Sequence, residues 1–171
     1  MSVNHKRNLQ NWSVAMVNSR DAHSAGHAVI TAAADAPRLL VVDDDNLHRM
    51  IICRVAAKAG YAVAGAAGYD EAVELLRTAA FDCIALDLSL GQHRGVEMLR
   101  HLHESGCKTP IVIISGCDDA TRRESLRVAK ALDLNVSEPV AKPVDLVVLR
   151  YWLDRFMSPS KLSRGPEPAH V

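Results

Sequence analysis

The 171-residue chain has few aromatic residues, no excess of charge of either sign and no long apolar run. Phe, Trp and Tyr make up 4% of the residues, and Lys+Arg and Asp+Glu are both 20. Nucleic-acid binding usually requires basic patches and aromatic stacking, and anionic membranes also attract basic surfaces. No apolar stretch approaches the roughly 18 residues of a transmembrane helix. The composition therefore predicts neither nucleic acid nor membrane as a partner.

Cysteine is also scarce, and the four cysteines lack the paired spacing of a disulfide framework or a zinc site. They are Cys53, Cys83, Cys107 and Cys117. Small buried thiols in a reducing compartment are the expected interpretation. The apolar piece Val14–Val17 is too short for a signal-peptide core. We therefore expect a cytoplasmic protein.

The two ends of the chain differ in composition from its middle. Residues 1–37 are rich in Ser, Asn, Ala and His and lack a sustained hydrophobic period, and residues 158–171 contain three prolines. Segments of this kind bury too little apolar surface to fold alone. We expect a flexible N-terminal arm over 1–37, one domain over 38–157 and a disordered C-terminal tail over 158–171.

Five short apolar runs alternate with five segments of helical period in the middle of the chain. The strands are predicted at 38–43, 61–66, 82–87, 111–115 and 136–141. Asp45 or Asn46, Asp70, and Asp118 or Asp119 are predicted helix caps. This alternation predicts an α/β fold, a doubly wound five-stranded parallel sheet with helices on both faces. The flavodoxin-like order 2-1-3-4-5 is the one we expect.

Two helices carry apolar patterns that bear on the surface. In the first, helical spacing assigns Leu47, Met50, Ile51, Val55 and Ala59 to the core face. The last helix is apolar nearly all round, so part of it requires a cover. We assign Leu146, Leu149, Leu153 and Phe156 to the core. The surplus residues, which predict an interface or a contact with the N-terminal arm, are Val147, Val148, Tyr151 and Trp152.

Polar side chains stand at the ends of four predicted strands. Asp43 and Asp44 follow the first strand, Asp87 ends the third, Ser115 ends the fourth and Lys142 follows the fifth. The order 2-1-3-4-5 places these strands side by side, so their carboxyl ends meet. Three carboxylates at one place require a compensating cation. Oxygen ligands favour Mg²⁺, and an ammonium beside them suits a phosphoryl group, with Asp87 as the nucleophile.

With these residues in place, residues 38–157 resemble the receiver domain of bacterial two-component response regulators. The matching residues are Asp43–Asp44, Asp87, Gly95 eight positions later, Ser115 and Lys142–Pro143. The resemblance implies phosphoryl transfer from a histidine kinase or histidine phosphotransfer protein to Asp87. It also implies Mg²⁺ held by Asp43, Asp44, Asp87 and the backbone carbonyl of Ser89. Ser115 and Lys142 would contact the phosphoryl group, and the Lys142–Pro143 bond would be cis.

Two departures from the family pattern affect the readout more than the chemistry. Gly91 stands where a proline is usual, and Pro139 stands where an aromatic residue is usual, three positions before Lys142. Because proline has no N–H, the fifth strand should be weakly paired or irregular there. We expect a stand-alone receiver, since the residues after Met157 are too few for an output domain. Its output surface, or a homodimer, would use Pro139 and the surplus residues of the last helix.

Two other functions fit parts of the pattern. Asp43-x-Asp45 after an apolar strand resembles haloacid-dehalogenase-like phosphatases, but these sites need further acids after the lysine, where only Asp145 follows closely. A pseudo-receiver that binds partners without phosphate is the second alternative. The complete set of acids favours the phosphoacceptor over both. We therefore expect a self-phosphorylating signalling protein and no turnover enzyme.

Overall fold

A computed structural model describes residues 36–91, 94–116 and 118–157. Across these ranges, five strands alternate with five helices. They are β1 (Arg38–Val42), α1 (Asn46–Lys58), β2 (Ala62–Ala66), α2 (Tyr69–Thr78), β3 (Cys83–Asp87), α3 (Arg94–Glu104), β4 (Ile111–Ser115), α4 (Asp119–Ala131), β5 (Val140–Ala141) and α5 (Leu146–Met157). All pairings are parallel, in the order β2-β1-β3-β4-β5. The predicted doubly wound α/β fold is confirmed.

The core forms two layers, one on each face of the sheet. In β1, Leu39 and Val41 pack with α1 and α5, while Leu40 and Val42 pack with α2, α3 and α4. Successive side chains of a strand point to opposite faces, so a strand covered on both sides is apolar throughout. This explains why β3 and β4 are buried along their whole length.

Aspartate side chains cap the N-termini of two helices. The Asp45 carboxylate accepts a hydrogen bond from the His48 backbone N–H at 3.0 Å, and Asp118 accepts one from Thr121 at 2.8 Å. These two predicted caps are confirmed. The prediction of Asp70 as a cap is wrong, because α2 begins at Tyr69 and Asp70 lies inside its first turn. The Ala72 N–H donates to the Gly68 carbonyl, so Gly68 is the N-cap residue of α2.

The predicted core face of α1 is also wrong in part. Leu47, Met50 and Ile51 are exposed, by 61%, 42% and 37%. The side chains buried against the sheet are Ile52, Cys53 and Ala56. Two stripes at helical spacing compete on this helix, and the spacing alone does not say which of them faces the sheet.

The fifth strand is much shorter than predicted. Only Val140 and Ala141 pair with β4, and Val136 forms one isolated bridge to Ile111. Between these points, the Ser137 hydroxyl accepts a hydrogen bond from the Ile113 N–H at 3.2 Å. A side chain thus satisfies a β4 donor that a regular strand would have bonded. The expected irregularity around Pro139 is confirmed.

The last helix divides its apolar residues differently from the prediction. Leu149 and Leu153 are buried as expected, but Leu146 is 45% exposed. Trp152, predicted as surplus, is half-buried and packs with Phe156 against the α1–α5 side of the core. Val147, Val148 and Tyr151 are exposed by 78%, 40% and 56%. The predicted burial is therefore wrong for Leu146, and the predicted outward position is wrong for Trp152, because the core side of α5 takes up Trp152 and leaves Leu146 to solvent.

Three other sequence predictions concern burial and the ends of the chain. Cys53 and Cys83 are buried and Cys107 is half-buried, each with a free thiol; burial raises the pKa of the Cys53 thiol to about 11. Cys117, residues 1–35 of the predicted arm and the tail 158–171 lie outside the described residues. Across the described ranges, no helix is long and apolar enough to cross a membrane.

Candidate functional site

The carboxyl ends of β1, β3, β4 and β5 bring the predicted polar residues to one edge of the sheet. Asp43, Asp87 and Ser115 are buried to 0%, 1% and 0% exposure. Their positions follow from the register, in which Val42 pairs with Leu86, Asp87 with Ile114, and Ser115 with Ala141. Adjacent parallel strands lie about 4.8 Å apart, so side chains at matching ends are near neighbours. The sheet thus fixes these groups before any ligand is present.

Lys142 bridges two of the acids. Its Nζ lies 2.6 Å from Asp87 Oδ2 and 3.1 Å from Asp43 Oδ2. Partial burial by itself lowers the pKa of Lys142, but the hydrogen bonds and charges of Asp87 and Asp43 outweigh it and raise that pKa above its usual value. The lysine therefore stays an ammonium at neutral pH and compensates the buried carboxylates.

Three carboxylates form a cluster that fits a divalent metal ion. One oxygen from each of Asp43, Asp44 and Asp87 lies within 4.8 Å of the others. Asp44 is exposed, so the cluster opens to solvent on that side. Its Oδ2 also accepts a hydrogen bond from the Gly91 N–H at 3.2 Å. An all-oxygen donor set with an open side suits a hard ion that keeps several waters, as Mg²⁺ does.

The loops after β3 and β4 meet beside Asp87. The Ser89 N–H donates to Asp87 Oδ1 at 2.8 Å, and the Gly116 N–H donates to Ser89 Oγ at 3.4 Å. A Cβ atom on Gly116 would lie 3.5 Å from Lys142 Cδ, an ordinary van der Waals contact. The backbone carbonyl of Ser89 as a metal ligand stays a prediction.

Gly95 has a steric role that explains its place eight residues after Asp87. A Cβ atom there would lie 2.4 Å from the Leu88 carbonyl oxygen and 2.6 Å from Leu88 Cα. Real Cβ atoms do not approach backbone this closely, so only glycine lets α3 begin directly against the β3–α3 loop. The contact between Gly95 and Leu88 thus holds the start of α3 against the loop that follows Asp87.

Sequence reasoning missed two residues that contact Asp43. His48 Nδ1 lies 2.5 Å from Asp43 Oδ2, and the Arg49 guanidinium donates to the Asp43 backbone carbonyl at 2.6 Å. They stand three and four residues after the Asp45 cap, at the start of α1. A polar pair at that place in the sequence was the available signal, since a helix beginning at a strand's end turns its first side chains back toward that end.

A cavity of about 360 Å³, also not predicted, adjoins the exposed acid. Its lining comes from the ends of three elements and includes Asp44, Gly68, Tyr69, Leu90 and Gly91. It lies between the β2–α2 and β3–α3 loops, beside Asp44.

The predicted interface residues lie apart from this cluster. Pro139 precedes β5, and Val147, Val148, Tyr151 and Trp152 lie on α5. The link between the two regions is the Lys142–Pro143 peptide bond, which is cis as the resemblance implied. The structure thus joins Asp43, Asp44, Asp87, Ser115 and Lys142 in one place and leaves the surface residues outside it.

Comparison with known proteins agrees with this geometry. The family model described as the response regulator receiver domain matches residues 39–153. The transcriptional regulatory protein DltR of Streptococcus agalactiae is 29% identical over 63% of this chain and 46% of its own. The Regulator of RpoS of Escherichia coli is 29% identical over 76% of this chain and 37% of its own. The chain therefore spans less than half the length of these curated relatives.

One solved structure aligns with this chain over nearly its whole length. A response regulator from Colwellia psychrerythraea aligns with a TM-score of 0.62 and 25% identity, over 72% of this chain and 98% of its own. The part of this chain that aligns is thus about the size of that whole chain.

Proposed function

Because the chain belongs to the response regulator receiver domain family of two-component signalling, we propose that it accepts a phosphoryl group on Asp87. The donor would be the phosphohistidine of a histidine kinase or of a histidine phosphotransfer protein. The observation that carries the proposal is the bridge from Lys142 Nζ to Asp87 and Asp43 beside the three-acid cluster. Asp87 is the central member of that arrangement, because β3 lies between β1 and β4.

The chemical step is an attack of one Asp87 carboxylate oxygen on phosphorus. A P–O bond forms, the P–N bond of the donor breaks, and its electron pair leaves with the donor's imidazole, which takes up a proton from water. The Ser89 N–H holds Asp87 Oδ1 at 2.8 Å and so fixes the rotation of the carboxylate. A nucleophile held in one orientation meets the phosphoryl group at a smaller entropic cost.

Asp43, Asp44, Asp87 and the backbone carbonyl of Ser89 would hold Mg²⁺. When bound there, the ion would neutralise charge on the phosphoryl oxygens and on the acid cluster. Asp44 supports this assignment because it is the exposed acid of the cluster and stands open to an incoming hydrated ion.

Lys142 and Ser115 would receive the phosphoryl oxygens. The ammonium can leave Asp43 and turn to a phosphoryl oxygen while it remains near Asp87, since its stem is flexible and half-buried. Ser115 ends the neighbouring strand β4 and would donate its hydroxyl to a second oxygen. Charge-assisted hydrogen bonds of this kind are about twice as strong as neutral ones.

We propose that the output passes through the β5–α5 side, to a partner protein or to a second copy of the chain. Pro139 cannot act as an aromatic rotamer switch, so the readout would depend on the backbone of β5 and on exposed α5. Val147, Val148 and Tyr151 support a contact surface there because they are large, apolar and exposed. Trp152 would contribute from the edge of this surface.

The test of phosphoacceptance is incubation with Mg²⁺ and acetyl phosphate, followed by a phosphate-affinity gel. The parent should show one shifted band, and Asp87→Asn should show none. Asp133→Asn is the matched control, since Asp133 is exposed and its φ of 53° suits asparagine. A shift that survives in Asp87→Asn would refute the assignment of the acceptor.

The same gel and a separate assay of phosphate release distinguish the two alternative functions. A pseudo-receiver would give no shift with acetyl phosphate, phosphoramidate or a phosphorylated phosphotransfer protein. A phosphatase would release more than one equivalent of phosphate per chain from a phosphomonoester. We expect one phosphoryl group per chain and no turnover of a phosphomonoester.

A further inference from the structure

Asp43 has more hydrogen-bond partners than a lysine bridge requires. Its Oδ1 accepts from the Asp45 N–H at 2.9 Å, while its Oδ2 accepts from both His48 Nδ1 at 2.5 Å and Lys142 Nζ at 3.1 Å. A carboxylate can only accept here, so Nδ1 is the ring nitrogen that carries the proton. The imidazole is thus a second donor on the same oxygen, independent of the lysine.

The placement of His48 is not explained by packing. Its side chain is only 16% exposed, and its Nε2 is buried without a hydrogen bond among the described residues. A buried polar atom without a partner carries a desolvation cost that an apolar side chain would avoid. The contact with Asp43 is the interaction of this ring that can offset the cost.

The ring is also held from the backbone side. The His48 N–H donates to the Asp45 carboxylate at the start of α1, and the next residue, Arg49, binds the Asp43 carbonyl. Asp43, Asp45 and the first turn of α1 therefore form a closed set of hydrogen bonds. Lys142 enters this set from another strand and can leave it without breaking the rest.

We infer that His48 is a positioning residue that keeps the Asp43 carboxylate oriented toward the metal position when Lys142 turns away to a phosphoryl oxygen. The inference rests on the proposed function. Once the lysine departs, the imidazole remains as the donor on Oδ2. Without the imidazole, the Asp45 N–H alone would hold the carboxylate. The χ2 torsion of an aspartate samples a broad range of angles, and one hydrogen bond restricts that range little. Hydrogen-bond partners of metal ligands typically change metal affinity by about 10–100-fold when removed.

The test is metal binding by isothermal titration calorimetry with Mg²⁺ alone, repeated with Mn²⁺ by electron paramagnetic resonance. Neither measurement contains a phosphodonor to draw the lysine away from Asp43 Oδ2. The series is therefore made in a Lys142→Met background, which serves as the parent and leaves the imidazole as the side-chain donor on that oxygen. His48→Leu keeps apolar volume and removes the donor, so it should weaken binding about tenfold or more. His48→Asn is the matched variant, because its Nδ2 stands where the imidazole Nδ1 stands. It should stay within about threefold of the parent.

A double-mutant comparison separates positioning from general loosening of the fold. In an Asp43→Asn background, His48→Leu should cause no further loss of metal affinity, since its target carboxylate is gone. Circular dichroism at the titration temperature would verify that each variant is folded. If His48→Leu does not fold, His48→Phe takes its place as the variant without a donor and is compared with His48→Asn.

Three outcomes would overturn the inference. These are equal or tighter metal binding by His48→Leu, binding by His48→Asn as weak as that of His48→Leu, and a parent that binds neither Mg²⁺ nor Mn²⁺. Failure of phosphoacceptance is measured separately by the acetyl phosphate gel. A protein that binds the metal through this set but takes no phosphate would retain the positioning role and lose the proposed function.

Discussion

The central strand β3 is paired with β1 on one side and β4 on the other, whereas the edge strand β5 has two residues and one neighbour. Each delivers a charged group to the same site, β3 the carboxylate of Asp87 and β5 the ammonium of Lys142. Asp87 is fixed by sheet register. Lys142 is fixed by one backbone hydrogen bond, from its N–H to the Ser115 carbonyl at 2.9 Å, and by its own ion pairs.

This difference matches what each group has to do. A nucleophile gains from a fixed position, while a cation that changes partners needs freedom to move. Elements that move in signalling are usually the less stable ones of a fold. The comparison therefore predicts that changes in β3 act mainly on stability, and that changes near β5 act mainly on local order and on contacts with partners.

The largest expected effect is a cavity in the central strand. Leu86→Ala should lower the free energy of unfolding by about 2–5 kcal/mol, because Leu86 is fully buried in the core layer on one face of the sheet. Val140→Ala in β5 is the corresponding change at the edge; it removes one carbon fewer and should cost less than half as much. Urea unfolding curves measure both. Equal costs would contradict the contrast between centre and edge.

The next effect concerns the close approach after β3. Gly95→Ala should lower the free energy of unfolding by about 2–3 kcal/mol, because the new methyl group meets the Leu88 backbone and α3 must shift. Arg100→Ala, on an exposed position of the same helix, should stay within about 0.5 kcal/mol of the parent. Thermal and urea unfolding would test the pair. A higher free energy of unfolding in Gly95→Ala would contradict this prediction, because it would mean that the Leu88 backbone moves aside at no cost.

A smaller effect is expected at the junction of β4 with the irregular segment before β5. Ser137→Ala removes the acceptor of the Ile113 N–H and should cost about 1–2 kcal/mol. The Ile113 amide should then exchange with solvent faster than the amides of β3. Hydrogen exchange by NMR measures this, with Ser137→Thr as the variant that keeps a hydroxyl. If the exchange rate of the Ile113 amide is the same in Ser137→Ala and in the parent, the Ser137 hydroxyl does not protect that amide.

The smallest effect on stability is expected on α5. Val147→Ser combined with Tyr151→Ser should change the free energy of unfolding by less than about 1 kcal/mol, since both residues are exposed. The pair should nevertheless reduce dimer formation or partner binding by the phosphorylated protein, measured by light scattering after size exclusion. Arg150→Ala on the same helix is the control. An identical oligomeric state in parent and variant, with and without phosphate, would refute the dimer.

Much of the site was predictable because polar residues at the ends of buried strands stand out in the sequence. Asp43, Asp87, Ser115 and Lys142 each follow an apolar run, and the parallel order of the strands brings such ends together. His48 was missed because the polar pair at the start of α1 does not show by itself which side chain turns back to the acid. Its role depends on how α1 is rotated about its own axis.

The sequence alone determined the α/β alternation, the strand order and which acids share one edge, since hydrophobic period and right-handed crossovers leave little choice. Tertiary structure decided what the period leaves open. It turned Ile52, Cys53 and Ala56 toward the sheet instead of Leu47, Met50 and Ile51, and it shortened β5 to Val140–Ala141. The physical reason is packing. Which face of a helix turns inward, and where a strand stops, depends on how side chains of different size fit against the neighbouring element, and that fit exists only once both surfaces are in place.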